Sequence, residues 1–252
     1  MNRMQQLLGY TRRCVDTYQM IQPDDNIAVG VSGGKDSITL LMVLAALRRF
    51  YPNPFRLVAI TLDMGFGSMD FAPVEALCRD LDVPFVLEKT DIAPVIFDIR
   101  KEKNPCALCA KMRRGALHEA ALRSGCRKVA LGHHHDDVLE TFLLCLFNES
   151  RISCFSPVTY LDRRDITLIR PLLYVPEAEI KRFAAEENIP VVHNPCPADG
   201  HTQREDMKTL LHTLAQERPG LQERMFRAVE HSAIPGWLGG GSTQKEVISH
   251  EK

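Results

Sequence analysis

The chain has 252 residues, of which 45% are hydrophobic and 25% are charged, the composition of an ordinary globular protein. This length predicts one large α/β domain, or a domain with a modest appendage, whose core needs no disulfide bonds. The formal net charge of −1 and the pI near 6.8 exclude a protein that attracts nucleic acid or anionic membranes through its overall charge. A nucleic-acid substrate would therefore require a local basic patch.

Neither secretion nor membrane insertion is predicted. Residues 1–8 contain no long apolar run and no small-residue cleavage site, so they do not resemble a signal peptide. No stretch approaches the roughly 18 apolar residues of a membrane-spanning helix. We therefore expect a cytoplasmic protein with no membrane partner, in which the eight cysteines are reduced.

The order of the apolar segments predicts alternating strands and helices. A leading amphipathic helix is expected over residues 1–22, before the break at Pro23. Four short apolar runs predict buried strands, at residues 26–31, 56–63, 84–88 and 128–132. Helices are expected at residues 38–47, 70–81, 112–124 and 137–147. This alternation predicts an α/β fold with a parallel, doubly wound sheet and ligands at the carboxyl ends of its strands.

We divide the chain into four parts. The leading helix occupies residues 1–22, and the α/β domain occupies residues 23–150. A small, mostly helical C-terminal extension at residues 151–238 contains one strand, predicted at residues 166–172, then two helical stretches, and carries Cys196. The polar, glycine-led tail at residues 239–252 is predicted to be disordered.

A glycine-rich turn follows the first predicted strand and is formed by Val31, Ser32, Gly33, Gly34, Lys35, Asp36 and Ser37. Its glycines bring bare backbone N–H groups close to an anion, and the next helix points its positive end at the same place. The Ser37 hydroxyl and the Lys35 ammonium group are additional donors. The turn is therefore predicted to bind the phosphates of a nucleotide.

Two common phosphate motifs do not fit this turn. A Walker A loop would place its first glycine at Val29 and its Ser or Thr at Asp36. A dinucleotide fingerprint would require a spacing that Gly30 and Gly33 do not have.

A second polar cluster follows the fourth predicted strand and contains Gly132, His133, His134, His135, Asp136 and Asp137. Two carboxylates at a helix start suit Mg²⁺ held against a polyphosphate, because this cation prefers oxygen ligands. Consecutive side chains diverge there, so only one of Asp136 and Asp137 is expected to point into the cleft. A zinc site and a simple helix cap are the alternatives, although adjacent histidines do not share one helix face.

Three cysteines are expected in loops rather than in the core. Cys106 and Cys109 are separated by two residues, and Cys196 is flanked by prolines. Such a pair suits a redox couple, half of a zinc site or part of an iron–sulfur cluster. The remaining five are expected to be packed, namely Cys14, Cys78, Cys126, Cys145 and Cys154.

These motifs together resemble a known family. The turn, Cys106 with Cys109, residues 111–115, residues 132–137 and residues 169–172 occur in the order typical of the tRNA 2-thiocytidine synthetase branch of the PP-loop (N-type ATP-pyrophosphatase) superfamily. The resemblance covers roughly residues 20–238. It implies the adenine nucleotide α hydrolase-like fold, ATP cleavage between the α and β phosphates, and adenylation of a pyrimidine carbon-two oxygen that sulfur then replaces.

The resemblance also implies roles for individual residues. A [4Fe-4S] cluster would be held by Cys106, Cys109 and Cys196. Asp137 would lie near the reacting centre, where Arg113 or Arg114 would stabilise negative charge and Lys35 would assist. The residues expected at ATP and Mg²⁺ are Val31, Ser32, Gly33, Gly34, Asp36, Ser37, Asp63, Gly132, His133 and Asp136. One departure is that no second cysteine follows Cys196 two residues later.

The leading hypothesis is an ATP-dependent tRNA sulfurtransferase whose sulfur comes from a donor such as a cysteine desulfurase. The resemblance further suggests a homodimer. Local basic groups for the tRNA phosphates are Arg12 and Arg13, residues 100–103, residues 111–114, and Arg163 with Arg164. The alternatives are lysidine-type modification of tRNA, thiolation of a small metabolite, and a non-enzymatic nucleotide- or metal-binding module on the same fold.

Overall fold

Six strands form the centre of the structure, a computed structural model that describes residues 2–67, 69–100, 105–192, 195–196 and 203–240. The strands are β1 (Asp25–Gly30), β2 (Phe55–Asp63), β3 (Phe85–Lys89), β4 (Lys128–Ala130), β5 (Val158–Leu161) and β6 (Ile166–Ile169). They lie in the order β3-β2-β1-β4-β6-β5, and each neighbouring pair is parallel except β5 with β6. The chain winds outward from β1 to β3 and then restarts on the other side of β1 with β4, so a topological switch point lies between β1 and β4.

The helices of the described residues connect and cover these strands. They are α1 (Arg3–Thr17), α2 (Lys35–Leu47), α3 (Ala72–Asp80), α4 (Pro105–Arg123), α5 (His135–Asn148), α6 (Glu177–Glu186), α7 (Gln203–Glu217) and α8 (Leu221–Glu230). A π-helical turn at Pro94–Ile99 precedes α4, and short 3₁₀ turns lie at Asp162–Arg164 and Leu238–Gly240.

Helices pack on both faces of the sheet. Helix α2 contacts α1 and α6 as well as β1, and Ile38 and Leu41 are 0% exposed. On the opposite face, Ala120 of α4 belongs to an apolar cluster with Ile60 of β2 and Val129 of β4. Complete burial of one large aliphatic side chain, such as Leu41, contributes roughly 1.5–3 kcal/mol to the stability of the fold. The apolar side chains packed on the two faces of the sheet hold the carboxyl ends of β1 and β4 in fixed positions.

The C-terminal extension shares the main core. Phe226 of α8 and Trp237 belong to the same apolar cluster as Ile27 of β1. The indole N–H of Trp237 donates to the carbonyl oxygen of Phe155 at 3.1 Å. Because β6 also pairs with β4, the extension is continuous with the α/β core and reaches the carboxyl edge of the sheet.

The predicted parallel strands are confirmed, and four expectations are corrected. The sequence pattern does not predict the antiparallel edge strand β5, because its residues are only half-buried and form no apolar run. Helix α4 begins at Pro105 rather than at residue 112, so the cysteine pair lies on a helix and not in a loop. Three helices rather than two follow β6. Gly239 and Gly240 lie in a 3₁₀ turn, and the rest of the tail expected to be disordered lies outside the described residues.

Candidate active site

The glycine-rich turn lies at the carboxyl edge of the sheet, between β1 and α2. Val31 prolongs the pairing of β1 by one residue, since its N–H donates to the Ile60 carbonyl oxygen at 2.8 Å. The register places Gly30 opposite Ile60 of β2, and Val29 opposite Ala130 of β4. The turns that follow β1 and β4 therefore start side by side at one edge.

Two serines hold the backbone of this turn. The Ser32 N–H donates to Ser37 Oγ at 3.1 Å, and the Ser37 hydroxyl donates to the Gly34 carbonyl oxygen at 2.9 Å. Gly34 is the N-cap residue of α2 and supplies no side-chain cap to the first helical N–H groups. The turn thus presents backbone donors and the positive end of a helix, the features of an anion site.

Gly33 is required at the centre of the turn. Its φ is +86°, in the left-handed region, and a Cβ there would lie 2.8 Å from Cβ of Val192. The Val192 N–H also donates to the Gly33 carbonyl oxygen at 2.9 Å. The segment before Cys196 is therefore packed directly on the phosphate turn.

Lys35 reaches two carboxylates from the first turn of α2. Its Nζ lies 3.0 Å from Asp36 Oδ1 and 3.1 Å from Glu177 Oε1. Burial lowers the pKa of Lys35, but the two carboxylates outweigh it and raise the pKa above the ordinary value. Lys35 is therefore a cation at neutral pH, as contact with phosphate requires.

Gly132 brings the second polar cluster against the turn. A Cβ at Gly132 would lie 3.1 Å from the Ser37 nitrogen and 3.2 Å from the Asp36 carbonyl oxygen. Just beyond it, His134 Nε2 lies 3.8 Å from Asp36 Oδ1 and 3.5 Å from Asp137 Oδ2. The buried His134 therefore lies between the carboxylates of the two clusters.

Asp136 and Asp137 diverge at the start of α5, as expected for consecutive residues. Asp136 Oδ2 accepts the backbone N–H of Glu177 at 2.8 Å. Asp137 Oδ2 accepts the backbone N–H of His134 at 2.9 Å, and its Oδ1 accepts from Arg204 Nη1 at 2.9 Å. Each carboxylate is thus held by a different helix of the C-terminal extension.

Burial shifts the acidities of the groups on α5 in different directions. Burial acts to raise the pKa of Asp136, but hydrogen bonds from His135 and from the Glu177 N–H outweigh it and lower the pKa below its ordinary value. For Glu140, burial and then the charge of Asp137 raise the pKa to about 7. Asp136 therefore stays charged at neutral pH. Glu140, one helix turn farther along α5, titrates near neutrality.

His133 and Asp63 have structural contacts of their own. The His133 ring lies 4.9 Å from the Phe155 ring, and burial followed by the charge of Arg170 lowers its pKa to about 3, so the ring is neutral. Asp63 ends β2, and its Oδ1 accepts the Gly65 N–H at 3.0 Å. Their predicted ATP contacts stay predictions.

The three predicted metal ligands, Cys106, Cys109 and Cys196, influence one another electrostatically. Cys106 and Cys109 are one turn apart at the start of α4. Burial raises the pKa of Cys109, Arg113 lowers it, and the thiols of Cys196 and Cys106 raise it again. Cys109 is thus within electrostatic reach of both other cysteines. Within the described ranges, no group of three or more His, Cys, Asp or Glu side chains is arranged so that it could hold a metal ion.

The described contacts of Arg113 place it beside Cys109. This position suits a residue that acts near sulfur, whereas Lys35 and the turn are placed for phosphate. Of the five cysteines expected in the core, Cys14, Cys78, Cys126 and Cys145 are buried, and Cys154 is half-buried.

An open pocket of about 390 Å³ lies beside the turn and the Cys196 segment. Its lining is mostly apolar and consists of Met69, Asp70, Pro73, Pro190, Val191, Val192 and Pro195.

The sequence pattern does not identify Glu177, Lys208 and Arg204 as parts of this site. Glu177 contacts Lys35 and Asp136, while Arg204 contacts Asp137. Arg204 and Lys208 are four residues apart and share one face of α7, a spacing that signals a common helix face but not its partner. Their roles depend on long-range contacts that no local pattern records.

A parallel sheet with an anion-binding turn at its switch point, and a carboxylate cluster facing that turn, define a nucleotide-binding α/β protein. The family model described as the PP-loop domain matches residues 7–214. The chain therefore belongs to the PP-loop family, in the group of the tRNA-cytidine(32) 2-sulfurtransferases.

Relatives in this group are similar over most of their length. A tRNA-cytidine(32) 2-sulfurtransferase of Geobacter sulfurreducens is 39% identical over 230 residues, covering 90% of each chain. Another, from Geobacter metallireducens, is 41% identical and covers 86% of each chain. One from Xanthomonas axonopodis pv. citri is 38% identical over 90% of this chain and 74% of its own.

Among solved structures, the chain is similar to the U34-tRNA thiolase NcsA from Methanococcus maripaludis with its [4Fe-4S] cluster. The TM-score is 0.71 at 23% identity, over 88% of this chain and 76% of that one. This likeness supports the predicted fold. In the described residues, no helix combines the length and the apolar character needed to cross a membrane.

Proposed function

We propose that the protein is an ATP-dependent sulfurtransferase that replaces the carbon-two oxygen of a tRNA cytidine with sulfur. The observation that carries the proposal is the contact between Gly33 and Val192, which packs the Cys196 segment on the phosphate turn. An enzyme that activates oxygen with ATP and then delivers sulfur needs its nucleotide and its thiols at one place. The relatives from Geobacter sulfurreducens and Geobacter metallireducens are tRNA-cytidine(32) 2-sulfurtransferases, which supports this substrate and this group transfer.

The first half-reaction is adenylation. The cytosine carbon-two oxygen attacks the α-phosphorus of ATP, one P–O bond forms, and the bond to pyrophosphate breaks. Backbone N–H groups of the turn and Lys35 hold the phosphates as their charge shifts. Asp36 and Asp136 or Asp137 would hold Mg²⁺, since each offers carboxylate oxygen at the same edge of the sheet.

The second half-reaction replaces oxygen by sulfur. Sulfur at the sulfide level attacks carbon two, the C–O bond breaks, and AMP leaves with the former base oxygen, so no net oxidation occurs. In this proposal Asp137 would lie near the reacting centre, and Arg113, which contacts Cys109, would lie on the sulfur side of the site.

Three thiols with nearby positive charge fit a [4Fe-4S] cluster by their donor chemistry. Cys106, Cys109 and Cys196 would hold three of its irons. When bound, such a cluster supplies a fourth iron that is open to carry sulfur. Lysidine-type modification requires no thiols and would leave these three cysteines without a role. We therefore favour sulfur transfer.

The remaining parts of the proposal concern partners and location. Each turnover consumes one sulfur atom, which requires a donor such as a cysteine desulfurase. Because such a donor carries its sulfur as a persulfide, a thiol reductant must supply two electrons to bring that sulfur to the sulfide level. We further propose a cytoplasmic homodimer that binds tRNA through its local basic groups. These include Arg163 and Arg164, which are exposed on the 3₁₀ turn before β6.

Two measurements test the function. Mass spectrometry of tRNA nucleosides from a strain that lacks the gene should show loss of 2-thiocytidine, and the wild-type gene should restore it. Purified protein should convert ATP to AMP and pyrophosphate faster with bulk tRNA than without it. An unchanged nucleoside profile would refute the substrate assignment, and AMP formation stimulated only by small metabolites would redirect it.

A further inference from the structure

We propose that Glu177 is a positioning residue that holds the Lys35 side chain over the phosphate turn. The inference rests on the proposed function only in assuming that Lys35 contacts the phosphates of ATP. No motif from the sequence points to Glu177, which is the first residue of α6 and lies 142 positions after Lys35.

The Glu177 carboxylate is buried and is surrounded by cations. The residue is 6% exposed. Its Oε1 accepts from Lys35 Nζ at 3.1 Å and from Lys208 Nζ at 3.1 Å, and its Oε2 accepts from Lys181 Nζ at 3.0 Å. One carboxylate therefore joins the phosphate turn, α6 and α7.

Lys35 has one other carboxylate partner among the described contacts. This partner is the adjacent Asp36, whose Oδ1 lies 3.0 Å from Lys35 Nζ. Asp36 is one of the residues expected to bind Mg²⁺, which would compete with Lys35 for its carboxylate, whereas Glu177 is not expected to bind the metal. Glu177 is thus the partner that can keep Lys35 in place before and after ATP binds.

The backbone of Glu177 performs a separate task. Its N–H donates to Asp136 Oδ2 at 2.8 Å, and Gln or Asp at this position retains that backbone donor. Side-chain variants of Glu177 therefore change the contact with Lys35 and leave the contact with Asp136. This separation makes the proposal testable at a single position.

The two other lysines distinguish positioning from simple neutralisation of buried charge. The Lys181 side chain is 54% exposed and the Lys208 side chain is 37% exposed, so both reach solvent, while the Lys35 side chain is 27% exposed. If Glu177 served only to neutralise the charge of its lysine partners, removing Lys181 would affect the nucleotide site as much as removing Glu177. If Glu177 positions Lys35, removing Glu177 weakens ATP binding and removing Lys181 does not.

The test measures the dissociation constant for ATP with Mg²⁺ by calorimetry. In Glu177→Gln, which keeps the shape and removes the charge, we expect binding about tenfold weaker, the order expected when a hydrogen bond to a charged group is lost. Lys181→Met is the matched control and should bind like wild type. Glu177→Asp should fall between wild type and Glu177→Gln, because the carboxylate remains but is one methylene farther away.

A double-mutant cycle identifies the route of the effect. In a Lys35→Met background, Glu177→Gln should weaken ATP binding no further. A residue that acts through Lys35 has no effect on ATP affinity once Lys35 is removed. Wild-type affinity in Glu177→Gln, or an equal loss with and without Lys35, would overturn the inference. So would wild-type protein that does not bind ATP. Wild-type ATP binding without tRNA-dependent turnover would instead defeat the proposed function and leave this test intact.

Discussion

Arg204 Nη1 donates a hydrogen bond to Asp137 Oδ1 at 2.9 Å, while Nη2 of the same guanidinium donates to Thr141 Oγ1 at 3.0 Å. The planar fork of Arg204 therefore contacts two residues one turn apart on α5. Asp137 is the carboxylate assigned to the reacting centre, so Arg204 links α7 to that centre. Asp137 is held on its other side by the His134 N–H.

Arg204→Met is expected to slow tRNA-dependent AMP formation about tenfold, because a catalytic group that is misplaced by a fraction of an ångström loses activity of this order. The loss of stability should remain below about 1 kcal/mol, because ion pairs of partly exposed side chains contribute little. Arg182→Met is the control, since it removes an exposed arginine that pairs with Glu179 on α6. An unchanged rate in Arg204→Met would show that Asp137 does not need this partner.

Gly33→Ala is expected to lower the free energy of unfolding by about 1–3 kcal/mol, since the left-handed conformation and the contact with Val192 both oppose a Cβ. Gly34→Ala is the matched control. Outside the adjacent residues, the atom nearest to the new Cβ would be Ser32 Oγ at 3.6 Å, and φ is −80°. Urea unfolding should show a change of about 0.5 kcal/mol or less for Gly34→Ala. Similar losses in the two variants would contradict the assigned role of Gly33.

Glu140→Gln tests the raised pKa of a buried carboxyl. Burial and the charge of Asp137 raise the pKa of Glu140 from 4.5 to about 7. Between these two pH values the unfolded chain has released this proton and the folded chain still binds it, so the contribution of Glu140 to stability falls as pH rises. Above pH 7, Glu140→Gln should therefore exceed wild type in stability by on the order of 2 kcal/mol.

The Glu140 comparison needs chemical unfolding at several pH values. The stability difference between wild type and variant should be smallest near pH 4 and should grow up to about pH 7, where it levels off. A difference that is constant with pH would mean that Glu140 is not perturbed in the folded protein.

Cys196→Ala is expected to remove the iron and the visible absorption of anaerobically purified protein, because a cluster held by three cysteines loses a ligand. Cys154→Ala is the control, since Cys154 is half-buried and its thiol donates to the Val138 carbonyl oxygen. Stoichiometric zinc in colourless wild-type protein would contradict the cluster assignment.

The parallel strands and the phosphate turn are predicted from local sequence because each depends on neighbouring residues. Apolar runs at residues 26–31 and 56–63 are long enough to identify buried strands, and glycines after a strand identify the turn. The start of α4 is not predicted. The sequence before it is polar, and the first residue of the helix, Pro105, is typical of a loop but also suits the first turn of a helix.

The sequence by itself determined the fold class and the phosphate turn and supplied candidate site residues, because these follow from apolar periodicity and from residue types in short motifs. The tertiary structure alone decided which distant residues meet. Val192 packs on Gly33, Glu177 holds Lys35, and α7 brings Arg204 to Asp137. Contacts of this kind depend on how sheet and helices pack in three dimensions, and the spacing of residues along one chain carries no direct record of that packing.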